Sequence, residues 1–244
     1  MSSLNILLKN SPNFNKKIRP KKDIKCIVIH YTGMQSEVEA INRLSSPKSK
    51  VSCHYLINQK GQIISMVNEK HVAWHAGESK WKKLSSLNKN SIGIEVVNLG
   101  HEFGYQNFKK KQIIILIKLL KKLIKKYNIK KDYIVGHSDI APLRKKDPGE
   151  KFPWKKLSEL GIGIWHNLSN KILVNNRNKK IAKKDKLVFF KYLKKIGFQT
   201  NYNLSKIKYE KKLIKTFQRR FRQEKISGII DKESLLIAKN LSNY

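Results

Sequence analysis

The sequence predicts an α/β protein, an open sheet with helices packed on it, followed by a small all-helical unit. Three observations predict it. Short β-branched runs alternate with amphipathic stretches as far as residue 166; a polar, lysine-rich, glycine-free segment follows; and three compact helical patterns close the chain. The domain expectation is an N-terminal extension (1–20), an α/β domain (21–166), a linker (167–185) and a helical domain (186–244).

The elements follow in order. IKCIVIHYT (24–32) is a β-branched run read as a buried strand ending in His30, Tyr31 and Thr32. Residues 36–44 have helical character, with Ser36 as N-cap. CHYLIN (53–58) and QIISMV (62–67) flank Gln59-Lys60-Gly61, the pattern of a hairpin. SIGIEVVN (91–98) is a second buried strand. From 109 to 127 apolar residues fall at 113, 117, 120, 124 and 127, a helical stripe opposite lysines. YIVGH (133–137) reads as a strand, and 138–154 as a loop carrying three of the six prolines. Beyond 186, helices are expected over 187–196, 210–221 and 232–241, with loops at Gly197 and Ser227-Gly228. Phe217 and Phe221, four apart, read as packing.

Composition bounds the function. Of 244 residues 40% are apolar and four are Trp, enough for a real core, which excludes a disordered tail protein. The formal charge of +36 points toward polyanions. It comes from 46 Lys against 7 Arg, accompanied by 21 Asn. Phosphate and base readers lean on the rigid fork of Arg. The lysines also spread along the whole chain, so the excess reads as coding bias in an AT-rich genome, with no specific nucleic-acid partner expected. Cys26 and Cys53 are the only cysteines and imply no disulfide framework; two buried thiols are expected. The N-terminal residues lack a secretory apolar core and no lipid-anchor cysteine follows them. The longest apolar run, Ile113–Ile117, stops at Lys118, far short of a transmembrane span.

Chemistry enters with three residues far apart in sequence. His30 and His137 both sit at or near strand C-terminal ends, where open α/β sheets place their sites. Asp147 lies in the proline-rich loop. Two imidazoles and a carboxylate can hold Zn²⁺ with a fourth position left for water. The alternative is three ordinary surface or core residues, since no local motif such as HExxH joins them. Glu95 is a carboxylate inside an apolar strand, costly unless paired or functional. Alternation puts it on one face with Gly93 and Val97, where a small neighbour leaves room for a ligand. The alternative is an edge-strand Glu facing water. Lys145, two residues before Asp147, acquires a role only if the metal loop is real.

These residues resemble a known family. IVIHYT (27–32), SCHYLI (52–57), AWHAGES-W (73–81), SIGIEVVN (91–98) and GHSDIAPLRKKDPGEKFPW (136–154), in this order, are similar to zinc-dependent N-acetylmuramoyl-L-alanine amidases of the type-2 family. The resemblance runs through about residue 166 and continues at TFQRRFR (216–222), which is similar to a peptidoglycan-binding three-helix module. It implies a mixed central sheet flanked by helices, as in phage T7 lysozyme and peptidoglycan-recognition proteins. It implies one Zn²⁺ per chain on His30, His137 and Asp147, with Glu95 and Lys145 catalytic. Tyr31, His54, Trp74 and His75 would line the substrate groove. The reaction implied is hydrolysis of the amide between N-acetylmuramic acid and L-alanine, in peptidoglycan or muropeptides, during bacterial wall turnover, and a monomer is expected. The family's exported members point to the cell envelope, while the missing export signal leaves cytoplasmic action open.

Three other functions stay open at this point. Related domains that lose zinc ligands bind peptidoglycan without cleaving it, although all three positions are filled here. A basic nucleic-acid binder would show a steep fall of affinity with salt. The lysine-faced helix 109–127 has the amphipathic character of a membrane-surface helix. Arg219, Arg220 and Arg222 could meet wall carboxylates or form a solvated face.

Overall fold

The structure is a computed structural model that describes residues 4–200 and 206–244; residues 1–3 of the N-terminal extension and 201–205 of the helical unit lie outside the described residues. Ten strands and eight helices are described. The strands are β1 (Ile6–Leu8), β2 (Phe14–Asn15), β3 (Cys26–Tyr31), β4 (Tyr55–Ile57), β5 (Ile63–Ser65), β6 (Val72–Ala73), β7 (Lys80–Trp81), β8 (Leu84–Ser85), β9 (Ser91–Val96) and β10 (Ile134–Gly136). The helices are α1 (Glu37–Ser45), α2 (Lys110–Tyr127), α3 (His137–Ile140), α4 (Trp154–Glu159), α5 (Asn170–Asn176), α6 (Lys183–Ile196), α7 (Lys206–Phe221) and α8 (Lys232–Leu241).

Six strands form the central sheet in the order β1-β5-β4-β9-β3-β10. The sheet is mixed: β4, β9, β3 and β10 run parallel, and β5 pairs antiparallel with β4 through the hairpin. Residues 6–8, read from sequence as part of an extension, add a parallel edge strand beside β5. β9 is an interior strand, which removes the solvent-facing reading of Glu95. Parallel register sets His30 beside Glu95 on β3 and β9.

Each face of the sheet has its own core. α2 lays Leu116, Leu119, Leu120 and Leu123 against Ile27, Ile29, Ile92 and Ile94, so its apolar stripe covers the sheet. Its lysines face outward, and no helix among the described residues is long and apolar enough to cross a membrane. On the opposite face Cys26, Val28 and Val135 share one continuous core with Phe189, Leu193, Phe217 and Phe221 of the C-terminal helices. Trp81 packs edge-on against Phe198 at 5.1 Å between ring centres, and its indole N–H donates to the Asp132 carbonyl at 2.8 Å. The segment 167–185 contains α5 and the start of α6, because Ser169 caps Ile172 N–H and starts a turn despite the lysines. Both cysteines are buried and free.

Two further differences from the sequence expectations have local causes. His137 opens a short helix instead of ending a strand, because the Asp139 carboxylate accepts the Gly136 N–H at 2.7 Å and turns the chain. The arginines of α7 and its C-terminal end neither form a solvated face nor lie free for wall carboxylates. Arg220 and Arg222 are 2% and 1% exposed, paired with Asp139 and with Asp231 and Glu233; Arg219 pairs with Glu150 at 3.3 Å.

α2 is tied to the sheet by Glu69, whose carboxylate accepts from Tyr55 and Tyr127 and from Lys126 at 2.5 Å. Burial pushes this carboxyl upward, but the hydrogen bonds from Lys126, Tyr127 and Tyr55 overcome it and hold it below the usual value. Glu69→Gln is expected to cost about 2 kcal/mol at neutral pH, the scale of a charge-assisted hydrogen bond. A depressed folded pKa contributes stability above the unfolded value near ~4.3 that fades as pH falls through the folded one. The gap between wild type and variant in denaturant unfolding should therefore be full at neutral pH and narrow in acid; a gap that does not change with pH would show that the carboxylate is not its source.

Candidate active site

The site forms at the C-terminal ends of β3, β9 and β10. Parallel strands carry their side chains to this edge, and the loops that follow supply the rest. His30 comes from β3, His137 from the first residue of α3, and Asp147 from the loop after it. His30 Nδ1 lies 3.0 Å from His137 Nδ1 and 3.0 Å from Asp147 Oδ2, and His137 Nδ1 lies 3.1 Å from the same oxygen. All three side chains are buried, and their ligand atoms fall within 4.8 Å of one another.

The surrounding hydrogen bonds decide which nitrogens are free. The Ser91 hydroxyl donates to the Leu87 carbonyl at 2.6 Å, so its oxygen accepts from His75 Nε2 at 3.1 Å. His75 Nδ1 is then an acceptor and takes the Nε2 proton of His30 at 3.1 Å. On the other side His137 Nε2 donates to the Ala76 carbonyl at 3.1 Å. Both imidazoles are thereby held in the tautomer with a bare Nδ1. Two lone pairs and a carboxylate oxygen converge with no hydrogen between them, an arrangement that a cation relieves. The distances are close to the ligand–ligand edge of about 3.3 Å expected for tetrahedral zinc, and the second nitrogen of each ring has the protein partner such ligands need.

Electrostatics agree with this arrangement. Burial, with His137 nearby, holds the His30 imidazole down to about 4, so it stays neutral. Burial, reinforced by Asp147, pushes the Glu95 carboxyl well above the usual range, against an opposing pull from Lys145. Its Oε2 is buried without a hydrogen-bond partner.

A groove of about 520 Å³ runs over these residues, with Glu95, Lys145, Tyr31, Trp74 and His75 all on its walls. Trp74 is tethered through its indole N–H to Asn15 at 2.7 Å, and the Tyr31 hydroxyl meets His101 at 2.9 Å. His54 is not brought there. It is fully buried, accepts the Gly93 N–H at 3.0 Å and meets the His71 carbonyl at 3.2 Å, which makes it a packing residue. His75 reaches the groove, but both its nitrogens are committed to His30 and Ser91, so it orients a ligand candidate more than it meets substrate.

The space beside Glu95 at Gly93 is also taken. A Cβ there would stand 2.4 Å from His75 Cγ, so the glycine admits this ring and not a ligand. Gly93→Ala is expected to cost roughly 1–3 kcal/mol, the range for overpacking, and to disturb the His75–His30 contact. Thermal unfolding together with a metal-binding titration would check both, and an alanine variant equal to wild type in each would contradict the crowding. Arg43, Arg144 and Lys146 also line the groove. They escaped sequence reasoning because single basic residues carry no signal in a chain this rich in lysine; only the adjacency of Arg144 and Lys146 to Lys145 hinted at two of them.

Comparison with known proteins bears on the same residues. A family model described as N-acetylmuramoyl-L-alanine amidase matches residues 20–150. The N-acetylmuramoyl-L-alanine amidase AmiD of Escherichia coli is 34% identical over 230 residues, 89% of this chain and 82% of that protein. The 1,6-anhydro-N-acetylmuramyl-L-alanine amidase AmpD of Haemophilus influenzae is 35% identical over 164 residues, 60% of this chain and 86% of its own. A solved structure of AmiD from E. coli, in complex with the substrate anhydro-N-acetylmuramic acid-L-Ala-D-gamma-Glu-L-Lys, matches with a TM-score of 0.80 at 32% identity, covering 94% of this chain and 91% of that one. A likeness that covers 89% of the chain in sequence and 94% in structure makes the assignment: the chain belongs to the N-acetylmuramoyl-L-alanine amidase family and is an amidase of that type.

Proposed function

We propose that this amidase is a zinc enzyme acting on muropeptides or peptidoglycan, with His30, His137 and Asp147 as metal ligands, Glu95 as proton carrier and Lys145 as the cation facing the developing oxyanion. The observation that carries the proposal is the convergence of two bare Nδ1 atoms and one carboxylate oxygen within 3.1 Å. A zinc ion held there would polarise the scissile carbonyl and lower the pKa of a bound water toward ~7.

The chain's own groups do the rest. Glu95 takes a proton from the attacking water as the new C–O bond forms, and returns it to the L-alanine nitrogen as the C–N bond breaks. A carboxyl whose affinity for protons is raised by burial is suited to carrying one both ways near neutrality. Lys145 lies on the groove wall, where its charge acts on Glu95. A positive group aimed at the tetrahedral oxygen is worth on the order of a hundredfold in rate. Tyr31 and Trp74 supply apolar walls, and Arg43, Arg144 and Lys146 match the carboxylates of a stem peptide.

The domain division is part of the proposal: extension 1–20, catalytic residues 21–166, linking segment 167–185 and helical unit 186–244, the last docked on the catalytic sheet through the shared core. Digestion of purified peptidoglycan and of anhydro-muropeptides, with and without a chelator, followed by mass spectrometry tests the function. Free stem peptides beginning with L-alanine, lost on chelation and restored by zinc, are expected. Products that keep the lactyl amide, or cleavage indifferent to chelator, would refute it.

A further inference from the structure

Of the three ligand candidates only His30 stands on a sheet strand. His137 begins a four-residue helix, and Asp147 sits in a loop without regular secondary structure. Part of what holds those two segments in place comes from α7, a helix of the C-terminal unit. Arg220 ion-pairs with Asp139, two residues after His137, and its Nη2 donates to the Ile134 carbonyl at 2.9 Å, three residues before it. The guanidinium lies 4.0 Å from the centre of the Trp154 ring. Asp139 in turn accepts the Gly136 N–H. One arginine therefore grips the chain on both sides of His137.

Its neighbour grips the other ligand. Arg219 pairs at 3.3 Å with Glu150, three residues after Asp147. Glu150 also accepts from His101 at 3.1 Å, and His101 meets the hydroxyl of Tyr31, next in sequence to His30. The Ser138 N–H donates to the Asp147 carbonyl at 2.8 Å and links the two gripped segments. Burying an ion pair such as Arg220–Asp139 costs desolvation that an apolar contact would avoid. Docking alone is already provided by the aromatic core.

We propose that α7 is part of the active-site scaffold: Arg219 and Arg220 are positioning residues that set where Asp147 and His137 stand relative to His30. The inference rests on the reading of these three as metal ligands. It makes residues 206–222 a determinant of metal affinity in the catalytic half, whatever else the C-terminal helices bind. Arg222 is the built-in control. It is as deeply buried as Arg220, but its ion pairs, with Asp231 and Glu233, stay within the C-terminal unit.

The test uses the full-length zinc-loaded protein. Zinc affinity is measured by competition with a chelator, and thermal unfolding is measured alongside, for wild type, Arg219→Gln, Arg220→Met and Arg222→Met. Loss of a partner bonded directly to a metal ligand weakens binding by about 10–100-fold; Arg219 and Arg220 act one contact further out, so about a tenfold weakening, the low end of that range, is expected for Arg219→Gln and Arg220→Met. Arg222→Met should lower the unfolding temperature while leaving zinc affinity within roughly twofold, since its contacts do not reach the ligand segments. Should Arg220→Met fail to fold, Arg219→Gln, at a less deeply buried position, decides alone. Folded Arg219 and Arg220 variants with wild-type zinc affinity overturn the inference, as does an Arg222 variant that weakens zinc equally. Wild-type protein that takes up no zinc would instead overturn the ligand assignment, and this inference with it.

Discussion

Asp147→Ala protein is expected to purify folded but without metal, and to release no stem peptide. The carboxylate is the only negative charge among the three ligand candidates, and it stands 3.0–3.1 Å from two bare imidazole nitrogens that only a shared cation would reconcile with it. Removing it deletes a ligand outright, so the loss of zinc affinity should exceed the roughly 10–100-fold that outer-shell changes cause. The fold should survive, because the backbone carbonyl of residue 147 still accepts the Ser138 N–H. Elemental analysis of the purified variant reads the metal directly, and circular dichroism reads the fold. A variant carrying one equivalent of zinc would remove Asp147 from the ligand set.

Glu95→Gln should have the second large effect, of a different kind. The amide has the size of the carboxyl but cannot carry a proton, so turnover should fall by about 10²–10⁴-fold while zinc stays bound. Stability should hold or rise, since a buried ionisable group without a partner at Oε2 is replaced by a neutral one. The pair of outcomes separates the two roles: Asp147→Ala loses metal and activity together, Glu95→Gln loses activity alone. Near-normal turnover of muropeptides by Glu95→Gln would end its assignment as proton carrier.

Much of the architecture was legible because it depends on local patterns. The β-branched run of β3, the hairpin around Gly61 and the Ser36 cap each follow from a few neighbouring residues, and each is present; α2 has its apolar face, but turned so that Leu116, Leu119 and Leu123 are buried and Ile117, Ile124 and Tyr127 are only partly so. The three ligand candidates were legible only as types at strand ends; their approach to within 3.1 Å depends on parallel register and on the turn that Asp139 makes after β10. His54 was misplaced for the same reason. A histidine packed just before a buried strand and a histidine on a groove wall look alike until the Gly93 N–H is found bonded to one of them.

The arginines of α7 mark the limit most clearly. As three basic residues within four positions they read as a surface patch, because charge in a sequence carries no address. In the folded chain Arg219 and Arg220 find acids roughly seventy to eighty residues away, at Glu150 and Asp139. Composition, periodicity and motif order were enough for the fold class, the amidase family and the residue types at the site, since those are set by short-range patterning. Tautomers, the ring that fills the space at Gly93 and the brace from α7 were decided only by tertiary contact, because each depends on which atoms meet across long separations in the chain.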